Sequence, residues 1–355
     1  MNRRRALMLC AAPIAAGLSA LGLGAVGYRA SRNPYYDGPP SAHFDGVRFG
    51  IEGHSHDKPF TDLLKWRFGG EGRAQWPESF PSPARDVPPA RVEGAGLRVS
   101  YVGHASFLIQ IHGVNLLIDP VWSERASPVR FAGPKRVNAP GIDLADLPAL
   151  DAVLVSHNHY DHLDLATLKA LDASKPARII TPLGNDVIMA GERISAEGYD
   201  WGARVEIARG VSVHIEPIYH WSARGLMDRR MALWCAFVIE TPSGKIYHVA
   251  DTGFADGAFF HQMRAKHGGF KLAILPIGAY APRWFMKNYH IDPQEAVQIM
   301  QICGAERALA HHWGTFPLAD EPIDEPPQKL AQALAQQNIE ASRFAVRRPG
   351  EILEV

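Results

Sequence analysis

The sequence predicts an α/β domain of layered sheets with helices outside, preceded by a hydrophobic leader and an irregular arm. Three observations carry this. Short strand-like runs crowd the stretch after Leu97, strand-like and helix-like runs alternate further on, and 46% of the 355 residues are apolar against 21% charged. The last balance belongs to a folded chain rather than a disordered one. The 37 basic and 37 acidic side chains cancel, which argues against a dedicated nucleic-acid binder, a class with a basic excess. Three cysteines, Cys10, Cys235 and Cys303, form no C-x-x-C pair, so a disulfide framework and a cysteine zinc finger are excluded.

Residues 1–30 read as a signal peptide or membrane anchor. Arg3, Arg4 and Arg5 precede Ala6 to Tyr28, which carry no charge; as a helix that stretch spans roughly 34 Å, enough to cross a hydrocarbon core of about 30 Å. The arginines orient the N-terminus to the cytoplasm and the body across the membrane, predicting a bacterial-type inner-membrane or periplasmic location, with a cytoplasmic, membrane-associated protein as the alternative. Without those three arginines the body is net acidic. Residues 31–95 are rich in Pro, Gly and polar side chains and read as an irregular arm.

Residues 96–355 read as one folded domain. Leu97–Gly103, Ser106–His112 and Val114–Asp119 read as three strands joined by Gly-containing turns, and Ala152–Ser156 as a fourth, apolar one. Leu163, Leu165, Leu168 and Leu171 follow at helical spacing. Further strands are expected at Val211–Pro217, Leu233–Glu240, Lys245–Ala250 and Leu272–Pro276, and helices at Ala258–Lys266, Pro293–Ile302 and Pro327–Gln337. This order suits sheets covered by helices.

The chemistry begins where the fourth strand ends. Ser156-His157-Asn158-His159-Tyr160-Asp161-His162 packs three imidazoles and a carboxylate into six positions. In an extended segment alternate side chains share a face, so His157, His159 and Asp161 converge while His162 points elsewhere. One metal can take His157 and His159, and a second Asp161 and His162. Imidazole with carboxylate suits zinc, with iron or manganese as alternatives. Further candidates end apolar β-like runs: His220 after Ile215–Tyr219, Asp251 after Tyr247–Ala250, and His312 after Ala308–His311. Strand ends are where side chains gather at one sheet edge, and a carboxylate such as Asp251 can bridge two cations.

These residues together resemble the metallo-β-lactamase superfamily. Tyr101-Val102-Gly103-His104-Ala105-Ser106, Asp119-Pro120, Arg125-Ala126-Ser127-Pro128, Gly133-Pro134-Lys135-Arg136, Ile277-Gly278-Ala279-Tyr280, Pro282–Met286 and His312-Trp313-Gly314-Thr315-Phe316 resemble its N-acylphosphatidylethanolamine-hydrolysing phospholipase D branch, over about Asn33 to Pro327. The resemblance implies an αββα sandwich holding two zinc ions, the first on His157, His159 and His220, the second on Asp161, His162 and His312, with Asp251 between them. It implies a phospholipid phosphodiester as substrate, phosphatidic acid and an N-acylethanolamine as products, and a membrane surface as partner; an oligomer is compatible with it. Asp161 and Asp251 then carry the catalytic centre, Asp161 as a ligand that also orients the attacking water. Tyr160 and His290 fall where the family places the substrate head group.

Asp119 reads either as fixing an imidazole tautomer behind the metals or as capping the turn at Pro120, and His104 as a structural residue behind the ligands. His311 points away from them. Arg224, Arg229 and Arg230 read as a phosphate-holding loop or a solvated charge cluster. Trp284, Phe285 and Met286 read as an apolar surface for acyl chains or as core. His54-Ser55-His56-Asp57 imitates half the metal motif without a preceding strand. Alternatives are a lactonase or sugar-phosphate hydrolase with the same centre, an RNA-processing nuclease, disfavoured by the acidic body, and a non-catalytic metal-binding regulatory module, disfavoured by the complete ligand set.

Overall fold

The computed structural model of the chain describes residues 32–54, 58–69 and 72–355. The leader expected over residues 1–30, and Ser55, His56 and Asp57 of the imitation motif, lie outside them. Among the described residues no helix is long and apolar enough to cross a membrane.

The strands are β1 Arg98–Gly103, β2 Ser106–Ile111, β3 Val114–Ile118, β4 Ala152–Leu154, β5 Arg178–Pro182, β6 Glu197–Tyr199, β7 Arg204–Ala208, β8 Val211–Glu216, β9 Ala236–Thr241, β10 Gly244–His248, β11 Phe270–Pro276, β12 Ala305–His311, β13 Phe344–Ala345 and β14 Ile352–Glu354. They form two mixed sheets of seven strands, in the orders β14-β1-β2-β3-β4-β5-β6 and β13-β12-β11-β10-β9-β8-β7. The helices are α1 Phe60–Phe68, α2 Leu165–Ser174, α3 Asn185–Ala190, α4 Ala258–His267, α5 Arg283–Met286, α6 Pro293–Ile302 and α7 Glu325–Gln336.

Alternation along each strand explains the layering. In β3, Leu116 and Ile118 enter the core between the sheets, while Leu117 between them packs outward with Leu163, Leu168, Leu171 and Met189 of α2, α3 and the loop before α2. In β12, Leu309 faces the other sheet and Ala308 and Ala310 face Phe260, Val297, Met300 and Leu334 of α4, α6 and α7. Strands covered on both faces read as continuous apolar runs. The order is helices, sheet, sheet, helices, the αββα layering that the sequence resemblance implies.

Most expected elements appear within a few residues of their predicted limits. The helix expected from Leu163 starts at Leu165, because the Asp164 carboxylate caps it by accepting from the Ala166 and Thr167 amides. In α6 the Asp292–Glu295 capping box and Pro293 define the start. The sequence reading lacks β5 to β7, β13, β14, α3 and α5, and it covers only the second half of β12.

Among the described residues of 31–95, α1 is the only helix or strand, and the rest of the arm runs irregularly over the domain. Trp66 on that helix stacks on Phe285 at 4.8 Å between ring centres and donates from its indole to Asp320 at 2.9 Å. Phe44 and Phe49 of the arm are buried members of the core. Asp86 meets Arg98 of β1 through two hydrogen bonds, at 2.5 and 3.0 Å, with both side chains nearly enclosed. Removing one partner leaves a buried charge uncompensated. Asp86→Ala is therefore expected to destabilise the fold by about 3 kcal/mol, measured as a lower urea midpoint with an unchanged slope.

Candidate metal centre

Strand ends and the loops after them build the site at one edge of the sandwich, and several key backbones there are left-handed. Asp119 after β3 (φ 41°), Ala250 after β10 (φ 56°), His312 after β12 (φ 60°) and His104 between β1 and β2 (φ 57°) all take a conformation that non-glycine residues rarely adopt. The turn at His312 swings its ring out of the sheet alternation. Gly278 makes room for it, since a Cβ there would sit 2.2 Å from the His312 carbonyl oxygen.

Two groups of donors meet. In one, His157 Nε2 lies 2.9 Å and His220 Nε2 3.3 Å from His159 Nδ1, and Asp251 Oδ2 lies 3.9 Å from His157 and 3.7 Å from His220. In the other, Asp161 Oδ2 is 3.3 Å from His312 Nε2 and 3.6 Å from His162 Nε2. Asp251 reaches this group as well, with Oδ2 3.3 Å from His162 and Oδ1 3.1 Å from His312. Asp251 thus stands between the two groups. His162, read as pointing elsewhere, comes to the same basin because the chain turns between Tyr160 and Leu163, where the Leu163 amide donates to the His159 carbonyl.

Hydrogen bonds behind the donors settle their tautomers. The Asp119 carboxylate accepts from the Ser156 amide and hydroxyl, each at 2.7 Å, and from His162 Nδ1 at 2.8 Å. The Ser156 hydroxyl, its proton committed to Asp119, accepts from His157 Nδ1 at 3.0 Å. His220 Nδ1 donates to the Tyr289 carbonyl at 3.1 Å. The Nε2 atoms of His157 and His220 are left as bare lone pairs converging on His159 Nδ1. A cation among the three nitrogens would use every one of these lone pairs, and imidazoles with carboxylates are the donor set that zinc, iron or manganese accepts. The residues fit a metal pair.

Electrostatics agree. Burial alone would raise the Asp251 carboxyl, but His312 and His162 hold it well below the carboxylate range; His162 and His104 do the same for Asp161. Burial drives His157 and His220 well below the usual imidazole value and His159 down to about 4. His162 and His312 go the other way: burial would lower them, yet Asp251 and Asp161 hold His162 well above its ordinary value and His312 up to about 9. The basin is negative enough to keep imidazolium buried, as a cation site must be.

The remaining singled-out residues divide. His104 Nε2 donates to Asp161 Oδ2 at 2.9 Å, behind the donors. His290 Nδ1 is 4.0 Å from Asp251 Oδ2, so its ring faces the basin. The Tyr160 hydroxyl donates to the Arg224 carbonyl at 2.9 Å, and its ring packs with Val121, Ala126 and Phe316. Arg224 is not a solvated charge: its Nη1 donates to the carbonyls of Asn158 and Leu163 at 2.9 and 2.8 Å, clamping the donor loop. Arg229 lies over the Trp221 ring and Arg230 donates to the Phe49 carbonyl. The His54 ring lies tilted against Tyr219 at 5.1 Å between centres, outside the basin. Trp284, Phe285 and Met286 split across α5, exposed, half-buried and buried in turn. Cys235 and Cys303 are buried.

Sequence reasoning missed three contributors. Trp221 sets its ring against His159 at 4.5 Å. The Thr315 hydroxyl accepts from the His104 amide at 3.1 Å. Buried Glu321 accepts from the Ala279 and Ala281 amides at 2.5 and 3.0 Å, holding the loop against His312. Thr315 lay inside a quoted motif; a lone Glu321 in a Pro-rich loop carries no signal.

Two donor groups sharing one carboxylate at the edge of this sandwich define a metal-dependent hydrolase of the metallo-β-lactamase kind. The β-lactamase superfamily domain matches residues 114–313. An N-acyl-phosphatidylethanolamine-hydrolyzing phospholipase D 1 of Caenorhabditis elegans is 38% identical over 272 residues, 73% of this chain and 76% of that protein. An uncharacterized protein of Mycobacterium tuberculosis is 33% identical over 98% of this chain and 95% of its own length. Igni18, a metallo hydrolase of Ignicoccus hospitalis, shares the fold with a TM-score of 0.55 and 21% identity, covering 74% of this chain and 99% of its own. The chain belongs to the metallo-β-lactamase superfamily, and within it resembles the N-acylphosphatidylethanolamine-hydrolysing phospholipases D.

Asp119 orients one imidazole of each donor group, so Asp119→Asn is expected to weaken metal affinity roughly 10- to 100-fold in a chelator competition. Ligation needs unprotonated nitrogen, and in the metal-free protein His312 keeps its proton up to about pH 9. Apparent affinity should therefore rise with pH through neutrality toward that value, with protons released on loading. Calorimetry in buffers of different ionisation enthalpy measures the release.

Proposed function

We propose that the protein is a dizinc phosphodiesterase that cleaves N-acylphosphatidylethanolamine, or a closely related phospholipid, into phosphatidic acid and an N-acylethanolamine. The observation that carries the reading is Asp251, whose two oxygens address both donor groups, in a chain 38% identical to a phospholipase D named for that substrate. His157, His159 and His220 would hold one zinc and Asp161, His162 and His312 the other, with Asp251 between. When bound, the pair would supply Lewis acidity toward a phosphoryl oxygen and an acidified water near neutral pH.

The chain's own residues do the rest. Asp161 is held by His104 and Asp251 by its imidazole neighbours, so neither carboxylate must reorganise during the reaction. His290 is placed to donate to an oxygen of the head group beside Asp251. The Tyr160 ring lies under the Arg224 guanidinium at 4.0 Å, and Tyr160 is no proton donor, because its hydroxyl is committed.

A lipid surface fits as partner. Leu63, Leu64 and Phe68 of α1 and Trp284 of α5 are exposed apolar side chains interleaved with lysines: Lys65 lies over Trp284, and Lys58 over Phe285 and Tyr289. Tyr289 leads directly to His290, so this face adjoins the basin. Aromatic and lysine side chains together suit the boundary of an anionic bilayer. The leader would tether the same domain to a membrane, giving the inner-membrane or periplasmic location.

Product analysis on N-acylphosphatidylethanolamine vesicles decides the chemistry. Release of N-acylethanolamine with phosphatidic acid is expected, and release of free fatty acid would identify an acyl hydrolase instead. Asp251→Asn should fall from two metal equivalents to one or none, with activity down at least 100-fold; an unchanged metal content would reject the bridging role. Phe68→Ser with Trp284→Ser should cut sedimentation with anionic vesicles while leaving turnover of a soluble, short-chain phosphodiester unchanged.

A further inference from the structure

His248 ends β10 and His311 ends β12, each on the face turned toward the other sheet. Both are fully enclosed. Their rings stack at 5.3 Å between centres and 26° between planes, and Phe107 of β2 presents an edge to each at 6.0 Å. No neighbouring residue supplies a hydrogen-bond partner to any of the four ring nitrogens, and the one polar contact is that of the His248 ring with its own backbone.

In a packed interior that arrangement is costly. A neutral imidazole carries one donor and one acceptor, and a protonated one two donors, so in any state all four atoms need partners. Buried polar groups are almost always satisfied by protein or by ordered water. Phenylalanine or leucine at both positions would fill similar space with no such demand, so something other than packing pairs with these nitrogens. A cation is a poor candidate. Neither histidine belongs to a group of three or more His, Cys, Asp or Glu donors lying within 4.8 Å of one another, among the described residues, and a buried charge with two neutral ligands has nothing to offset its desolvation.

We propose that His248 and His311 form an internal water site between the sheets, holding at least one ordered water that bridges the two imidazoles. Water supplies donor and acceptor together and typically makes about three hydrogen bonds when buried. The site lies one residue before His312, whose ring centre is 6.2 Å from that of His311, and three before Asp251. The held water therefore backs the donor basin from within the sandwich. The inference concerns this chain's own interior and does not depend on the substrate assigned above.

The zinc-loaded wild-type protein tests it directly. A crystal structure at high resolution should show ordered water within about 3.2 Å of a nitrogen on each ring. In solution, magnetic relaxation dispersion should count at least one fewer long-lived internal water in a His248→Phe, His311→Phe variant that retains two zinc equivalents. Rings with no density between them overturn the proposal, as does an anomalous peak or a third metal equivalent in the wild type that the variant loses. Should the variant fail to fold, the wild-type crystal structure decides alone.

Discussion

A carboxylate with almost no exposed surface, Asp251, faces imidazoles on two sides, and the rest of the structure is arranged around satisfying it. Uncompensated, such a charge would be expelled or neutralised. Here His162 and His312 are pulled toward protonation while burial keeps His157 and His220 neutral, their Nδ1 protons directed at Ser156 and Tyr289. One wall of the basin is thus cationic or ready to be, and the other offers bare lone pairs.

That constraint reaches into the backbone. Asp119, Ala250, His104 and His312 adopt left-handed conformations at the ends of strands or the turns joining them, a strain of order 1–3 kcal/mol each. Two sheets covered on both faces make a rigid frame that supports it. The Asp119–Ser156 pair spreads one anchoring carboxylate over an imidazole in each donor group, and Arg224 ties the donor loop through the carbonyls of Asn158 and Leu163. Orientation in the basin is therefore held from behind, by groups that never touch a ligand.

How much of this was legible in the sequence follows from what each feature depends on. The donor loop was readable because its residues are dense and follow an apolar strand, and His220, Asp251 and His312 because each ends an apolar run. The run from Pro293 to Ile302 announced α6, and strand-like runs joined by Gly-containing turns announced β1 to β3. What escaped depends on distant partners. β5 carries Pro182, β6 has three half-buried residues, and β13 has only two; each is a strand only because a neighbour lies alongside. Helix α1 is anchored by Trp66 on Phe285 and Asp320 rather than by a periodic apolar stripe. Arg224 looked like a surface charge because nothing local says that two loop carbonyls lie within its reach.

The sandwich is closed by the segment after α7. β13 pairs alongside β12 at one margin of the second sheet, and β14 pairs with β1 at the margin of the first, Leu353 opposite Val99. Synthesis proceeds from the other direction. While a ribosome is still translating, β1 and β12 both present open hydrogen-bonding rims, the kind of surface on which nascent chains stick to one another. Both rims stay open until residues 344–354 have been made, so the last strands to emerge are the ones that remove them.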